Sequence, residues 1–189
     1  MASSTFQNLS RFIFMKKFIK IFLLSIYIFI SGCIAQAPPH VSVQNEAFNK
    51  KLEFLLSFSI PVIDVNELSK NQEEYLILDA REPEEFSISH IETAKHIGYD
   101  KPNFEMLADT PKDQPIVLYC SVGYRSEKLG EKLKKRGFTN VKNLYGSIFE
   151  WANEDLPMVD EKGNATKKIH TYNKKWSKWV IDGKAEKTW

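Results

Sequence analysis

The sequence predicts an α/β fold with a mostly parallel central sheet and helices on both of its faces. Short apolar runs alternate along the chain with stretches whose apolar residues recur at helical spacing, which is typical of strands joined by helices. One run, "PIVLYC", is continuously apolar, as expected of a strand that is buried on both faces. The predicted strands are "PVIDV", "YLILD", "AKHIG", "PIVLYC" and "NVKNL".

Helices are predicted before, between and after these runs. "AFNKKLEFLLSF" has apolar residues at 48, 52, 55 and 56, close to one helical face. In "RSEKLGEKLKKRGF", Leu129 and Leu133 are four residues apart and Gly137 stands where a C-terminal cap belongs, so we expect an amphipathic helix that begins near Ser126. The other predicted helical stretches are "NELSK", "EPEEFS", "NFEMLADT" and "SIFEWANE".

The size and the charge of the chain limit the classes of function that it can have. The chain has 189 residues, of which 43% are hydrophobic, which suffices for one core. Its formal charge is +2, but the first 32 residues hold four basic residues and no acidic one, which leaves −2 for the other 157. A nucleic-acid-binding surface needs clustered Lys and Arg, so this balance argues against a nucleic-acid partner.

The N-terminal segment has the order of a secretory signal, with basic "MKKFIK", an apolar run and then "ISGC". The apolar run, Ile21 to Ile30, is too short for a spanning helix. "ISGC" resembles the lipobox of bacterial lipoproteins, which implies cleavage after Gly32 and lipidation of Cys33. The residue after Cys33 is not the aspartate of an inner-membrane retention signal, so we expect a lipid-anchored protein of the cell envelope, on the outer membrane facing the periplasm.

Residues 1–14 put a polar stretch ahead of the basic region of the signal, so we expect translation to start at Met15. The alternative to a lipoprotein is an ordinary signal peptide with an incidental cysteine. If the protein is a lipoprotein, residues 1–32 are the signal peptide and residues 33–45 are a Pro-bearing linker.

Cys120 is the other of the two cysteines, and it ends the predicted central strand. Cysteines of the oxidising envelope usually pair, so a Cys120 without a partner indicates chemistry more than structure. The strand leads through "CSVGYR" into a helix, and backbone N–H groups at such a turn stabilise a thiolate. Arg125 supplies a cation, and Gly123 permits a positive φ. Inert packing of a buried thiol is the alternative.

The motifs together resemble the single-domain rhodaneses, a sulfurtransferase family, over roughly residues 61 to 158. "CSVGYRS" resembles the active-site loop, "LILDAREPEEFSISHI" the first signature with its Asp-x-Arg pair, and "YGSIFEWANEDLP" the closing segment. This chain departs from the family at three positions. Ser89 replaces the glycine of Gly-His-Ile, Tyr145 replaces a glycine near the end, and Ser121 stands where arginine is frequent.

The resemblance implies a rhodanese-like fold over residues 46–158 and a ping-pong reaction without a cofactor. Cys120 would take sulfane sulfur from a small-molecule donor such as thiosulfate as a persulfide, and a thiol acceptor would remove it; a protein acceptor remains open. Arg125 would attract the anionic donor, while Asp79 and Arg81 would support neighbouring loops. The loop that would hold the sulfur and the donor comprises Ser121, Val122, Gly123, Tyr124, Arg125 and Ser126.

Several alternatives stay open at this point. A phosphatase or arsenate reductase also uses a cysteine and an arginine, but five residues separate them there and four separate Cys120 from Arg125. A non-catalytic or sulfur-relay binding module with the rhodanese-like fold is the second alternative to a sulfurtransferase. His90 resembles a base, although the motif favours a core role, and the four scattered histidines show no metal-ligand spacing. In the extension 159–189, Asp182-Gly183 predicts a hairpin, and three tryptophans predict either attachment to the domain or a binding surface.

Overall fold

The computed structural model describes Pro38 and residues 41–189. The predicted signal of residues 1–32 and the predicted lipidation site at Cys33 lie outside the described residues, as does part of the linker. Within the part of the chain that the structure describes, no helix is both long and apolar enough to cross a membrane.

The central sheet has five strands, all parallel, in the order β1-β5-β4-β2-β3. Each of the five predicted apolar runs contributes one strand, and "PIVLYC" supplies the central one. The α/β fold class predicted from the sequence is therefore confirmed. The strands are Val62–Ile63 (β1), Leu76–Asp79 (β2), Lys95–His96 (β3), Ile116–Tyr119 (β4) and Val141–Leu144 (β5).

The helices connect these strands, and local sequence fixes where several of them begin. The Asn45 side chain accepts a hydrogen bond from the Phe48 N–H at the start of the first helix, and Pro83 opens the third. "NFEMLADT" forms only a short 3-10 helix, Phe104–Leu107. The α-helices are Glu46–Leu55 (α1), Val65–Lys70 (α2), Pro83–Ile88 (α3), Tyr124–Lys135 (α4) and Ser147–Asn153 (α5).

Strand β4 separates two apolar clusters. Its side chains alternate, so that Val117 and Tyr119 join the cluster containing α1 and α5, whereas Ile116 and Leu118 join the cluster containing α4. Cys120 continues this alternation and belongs to the α4 cluster. The thiol is therefore positioned by a strand that is buried on both faces.

Helix α4 begins at Tyr124, two residues earlier than predicted. The reason is Gly123, which adopts a φ of +110° and so turns the chain into the helix at once. The loop after β4 is consequently short, Cys120 to Gly123, and Arg125 lies in the first helical turn. At the other end, Gly137 takes a positive φ of +91°, as expected of a C-terminal cap.

The hairpin prediction for the C-terminal extension is wrong. Its two strands, Lys168–His170 (β6) and Glu186–Thr188 (β7), pair in parallel and cannot be joined by a tight turn. A 3-10 helix, Ser177–Trp179, lies between them where a strand was expected. The Asp182-Gly183 pair still forms a turn, with Gly183 at φ +86°, but it leads from the loop after the 3-10 helix towards β7.

The extension is attached to the domain through α5. Asn153, which is fully buried, donates to the Trp179 carbonyl at 3.1 Å and accepts from the Ile181 N–H at 2.9 Å. Its amide also donates to Glu150, which accepts the Gln44 N–H from the other end of the described chain. Trp179 stacks on Phe48 of α1 with ring centroids 5.3 Å apart.

Candidate active site around Cys120

Cys120 lies at the carboxyl end of β4, where ligands bind in open parallel sheets. Residues at the start of α5 form hydrogen bonds with the Cys120 backbone. The Cys120 N–H donates to Ser147 Oγ at 3.2 Å, and the Ile148 N–H donates to the Cys120 carbonyl at 3.2 Å. The end of β4 and the start of α5 together therefore fix the position of the cysteine.

The thiol is 1% exposed, and its sulfur faces the turn that follows it. The Gly123 N–H donates to Sγ at 3.1 Å. Burial raises the pKa of the Cys120 thiol, but the charge of Arg125 and the backbone N–H groups of Ser126 and Gly123 favour the thiolate more strongly, and the pKa lies below its ordinary value. The site thus stabilises an anion on sulfur.

A buried asparagine holds the loop in this shape. Asn143 of β5 donates to the Gly123 carbonyl at 2.9 Å and accepts from the Ser126 hydroxyl at 2.7 Å. Because a hydroxyl carries one proton, the Ser126 hydroxyl that donates to Asn143 does not also donate to the thiolate. Stabilisation of the thiolate therefore comes from Arg125 and the backbone N–H groups.

Arg125 is engaged in an ion pair. Its Nη1 and Nη2 donate to the two carboxylate oxygens of Glu85 at 2.6 and 2.8 Å, and Nη2 also donates to Ser121 Oγ at 3.0 Å. The Glu85 carboxylate accepts further bonds from the Ser121 hydroxyl and the Glu82 N–H, both at 3.1 Å. Burial raises the pKa of Glu85, but Arg125, together with the charge of Arg81, lowers it overall, so the carboxylate is ionised and balances the Arg125 charge.

Asp79 and Arg81 form a second, fully buried ion pair beside the site. The Arg81 Nε lies 3.0 Å from each Asp79 oxygen, and Nη2 reaches Oδ2 at 2.6 Å and the Ser89 carbonyl at 2.6 Å. This network ties the end of β2 to the end of α3, the helix that carries Glu85. Neither side chain lines the cavity over Cys120.

A cavity of about 340 Å³ opens above the cysteine. Its lining is mainly aromatic and apolar, and it includes the acidic residues Glu82 and Asp100. Two of its aromatic residues come from the C-terminal extension. The described residues that line it are Leu55, Glu82, Tyr99, Asp100, Cys120, Ser121, Val122, Tyr124, Arg125, Tyr172 and Trp176.

The predicted loop residues all lie around the Cys120 sulfur, but only some of them line the cavity. Cys120, Ser121, Val122, Tyr124 and Arg125 line the cavity, whereas Gly123 and Ser126 lie behind the sulfur. The Ser121 hydroxyl bonds to the Glu85–Arg125 pair. His90 is a core residue, with Nδ1 3.0 Å from the Phe86 carbonyl and its ring stacked on Phe86.

The sequence did not assign several other residues to the site, among them Asn143, Glu85, Ser147, Tyr172 and Trp176. The asparagine within the predicted strand "NVKNL" could have indicated a buried polar role for Asn143. An arginine near a buried thiol needs a countercharge, and this need could have indicated an acidic residue such as Glu85. Nothing in the sequence pointed to the roles of Ser147 and Tyr172, and the tryptophans of the extension gave no sign that Trp176 lies at the Cys120 cavity. Among the described residues, no cluster of His, Cys, Asp or Glu could hold a metal ion.

Comparison with known proteins agrees with this geometry. The rhodanese-like domain family matches residues 64–154, which include the whole Cys120 loop. A sulfurtransferase from Allochromatium vinosum is 34% identical over 104 residues, which cover 53% of this chain and 96% of that protein. The chain belongs to the rhodanese family. The family resemblance drawn from the three motifs is thereby confirmed.

Other proteins match over shorter shares of their length. The probable adenylyltransferase/sulfurtransferase MoeZ of Mycobacterium tuberculosis is 39% identical over 82 residues, and this chain spans about a fifth of its length, 21%. Among solved structures, the BH2092 protein of Bacillus halodurans matches with a TM-score of 0.50 and 28% identity, over 63% of this chain and 88% of that one. Tyr172 and Trp176 lie beyond the residues that the rhodanese family matches.

The position of Ser89 shows one cost of departing from the rhodanese motif. Ser89 stands where the family has a glycine, and its hydroxyl is buried without a hydrogen-bond partner among the described side chains and backbone. Its φ of −164° is extended backbone that any residue adopts. The backbone thus accepts serine here, and only the hydroxyl is left unsatisfied.

Proposed function

We propose that this protein is a sulfurtransferase that carries sulfane sulfur on Cys120. The observation that supports this most directly is the buried Cys120 sulfur, which receives the Gly123 N–H at the floor of an open cavity and has a lowered pKa. A thiolate held in this way is a nucleophile for covalent catalysis in two steps. The sulfurtransferase names of the relatives MoeZ and the Allochromatium vinosum protein support the same reaction class.

With thiosulfate as donor, the thiolate of Cys120 forms a bond to the outer sulfur. The S–S bond of thiosulfate breaks, and its electron pair leaves with sulfite. The product is a Cys120 persulfide, whose outer sulfur occupies the cavity near the loop N–H groups. An acceptor thiolate then attacks that outer sulfur and restores the Cys120 thiolate. Both steps balance without an oxidant, a reductant or a cofactor.

The geometry argues against phosphate-ester or arsenate chemistry at the same cysteine. Such enzymes need an arginine that is free to bind a tetrahedral oxyanion, whereas both Nη atoms of Arg125 are bonded to Glu85. The four-residue separation between Cys120 and Arg125 is also shorter than the five of those enzymes. We expect no release of phosphate from p-nitrophenyl phosphate.

Mass spectrometry of the full chain tests the proposal. After incubation with thiosulfate or an organic persulfide, the peptide containing Cys120 should gain the mass of one sulfur atom, and cyanide or a thiol should remove it. Cys120→Ser should gain nothing, whereas Cys33→Ser should gain sulfur as the wild type does. If no donor adds sulfur to Cys120, the protein is a binding module and the sulfurtransferase proposal is wrong.

A further inference from the structure

The walls of the cavity over Cys120 are unusually aromatic for a site that would take a small inorganic anion. Four rings line it, those of Tyr99, Tyr124, Tyr172 and Trp176, together with the side chain of Leu55. Its volume of about 340 Å³ falls within the range of sites for organic ligands, about 300–1,000 Å³. The cavity has room for an organic group beside the sulfur that reacts.

Tyr172 is held at this cavity in a strained conformation. Its φ is +65°, a left-handed conformation that a non-glycine residue keeps only where neighbouring contacts impose it. The Tyr172 N–H donates to His170 Nδ1 at 3.1 Å, and the preceding Thr171 N–H donates to the Thr188 carbonyl at 2.7 Å. Although Tyr172 is 55% exposed, its ring lies over Arg125, 5.4 Å from the guanidinium carbon.

Trp176 forms part of the same wall and is fixed by its own turn. The backbone N–H of Trp176 donates to the Asn173 carbonyl at 3.0 Å, and the half-buried Trp176 ring packs against the apolar cluster that contains α1. Tyr172 and Trp176 thus place two rings at the cavity. Aromatic side chains bind flat apolar groups at a low entropic cost because only two side-chain angles need to be fixed.

The charges around the cavity do not favour a dianion. Arg125, the one cation among the described lining residues, is balanced by Glu85, and the other charged lining residues are the acids Glu82 and Asp100. The ammonium groups of Lys51 and Lys132 lie 5.9 and 5.5 Å from the ring centroids of Trp176 and Tyr99 and are not part of the lining. Thiosulfate, with two negative charges, gains little here.

We propose that this aromatic cleft selects sulfur donors that carry a flat apolar group next to the sulfane sulfur, in preference to thiosulfate. Tyr172 and Trp176 are its specificity-determining residues. The inference rests on the sulfurtransferase function proposed above, because it concerns which donor loads Cys120. It assigns to the C-terminal extension a direct part in substrate choice.

Three probes separate the effects of charge and of the aromatic group. They are thiosulfate, methanethiosulfonate and benzenethiosulfonate, and each delivers its outer sulfur by the same reaction. The Cys120 thiolate bonds to that sulfur, the S–S bond of the probe breaks, and the electron pair leaves with sulfite, methanesulfinate or benzenesulfinate. The two thiosulfonates have equal charge and differ only in the methyl or phenyl group.

The experiment measures the rate constant of single-turnover loading of Cys120 for each probe, relative to loading of a free thiol. We expect the wild type to prefer benzenethiosulfonate over methanethiosulfonate by about 2- to 12-fold, the range that one aromatic contact provides. Trp176→Ala and Tyr172→Ala should each bring this ratio towards one. Glu82→Gln should raise thiosulfate loading by about threefold relative to either thiosulfonate, because it removes one like charge.

Trp189→Ala is the matched control, since Trp189 belongs to the same extension, is 60% exposed and does not line the cavity. It should leave all three rate constants unchanged. A phenyl-to-methyl ratio of one in the wild type, or a ratio that survives both Trp176→Ala and Tyr172→Ala, would overturn the inference while sulfur transfer stands. Absence of loading by every probe would overturn the sulfurtransferase proposal, and the inference with it.

Discussion

Replacing Arg125 by alanine should destabilise the protein strongly, because Arg125 is paired inside the structure. The side chains of Arg125 and Glu85 are 14% and 4% exposed, and two hydrogen bonds of 2.6 and 2.8 Å join them. Removing one partner of a buried pair costs about 3–5 kcal/mol, since the other charge is left uncompensated. Glu85 keeps the bonds from Ser121 and the Glu82 N–H, so we expect the lower end, about 3 kcal/mol.

The loss should depend on pH in a defined direction. In the wild type, Arg125 holds the Glu85 pKa below its ordinary value in spite of burial. In Arg125→Ala, only the charge of Arg81 and the Glu82 N–H still oppose burial, so the Glu85 pKa of the folded variant should rise above that of the folded wild type. The folded variant then binds more protons than the folded wild type as the pH falls, so the destabilisation should be largest near about pH 8 and smaller near about pH 5.

Urea denaturation of wild type and variants at both pH values measures this effect. Lys128→Ala is the matched control in the same helix, because the Lys128–Glu131 pair has a similar distance of 2.6 Å but side chains that are 30% exposed. Its cost should stay below about 1 kcal/mol. Adding Glu85→Ala to Arg125→Ala should recover part of the lost stability at about pH 8. If Arg125→Ala costs no more than Lys128→Ala at that pH, the ion pair is not structural and Arg125 is available to anionic donors.

Three further predictions concern the thiol, the N-terminus and the turn before α5. The rate of Cys120 loading should rise with pH and level off with a midpoint below the ordinary thiol pKa of about 8.5, and a midpoint above that value would contradict the stabilised thiolate. Cys33→Ser should move the protein from the membrane fraction to the soluble fraction while Cys120 still loads, because the predicted lipid supplies the anchor; unchanged sedimentation with membranes would exclude lipidation as the cause. Gly146→Ala should cost more than about 2 kcal/mol by thermal denaturation, since its φ is +72° and a Cβ there would lie 2.5 Å from Glu150 Cβ. Gly183→Ala, at φ +86° in open space, should cost about 1 kcal/mol, and equal losses at the two glycines would show that the close contact does not matter.

The sheet and the position of the thiol could be predicted from the sequence because both depend on local patterns. Strands of a parallel sheet that is covered on both faces are continuous apolar runs, and "PIVLYC" is such a run. Gly123 and Gly137 likewise mark turns whose positive φ only glycine adopts easily. These features need no knowledge of distant contacts, so the place of Cys120 at the end of the central strand followed from the α/β pattern.

The surroundings of the thiol could not be predicted in the same way, because they depend on contacts between residues far apart in the chain. Glu85 and Arg125 are 40 positions apart, and only the folded chain shows that the carboxylate neutralises the guanidinium. The Asp182-Gly183 pair predicted a hairpin from local turn chemistry. Packing of Trp179 on Phe48 and hydrogen bonds to Asn153 override that preference and lead the strands into parallel pairing.

The buried amide of Asn153 makes the folding unit longer than the homologous segment. Residue 154 ends the family match, yet the bonding partners of Asn153 lie at Trp179 and Ile181, and the neighbouring Glu150 accepts from Gln44. A fragment cut to residues 64–154 would lose these three hydrogen bonds, each worth about 0.5–1.5 kcal/mol. Such a loss is a substantial part of the stability of a small domain, about 5–15 kcal/mol. The segment that the rhodanese family matches therefore depends on the residues on either side of it for part of its stability.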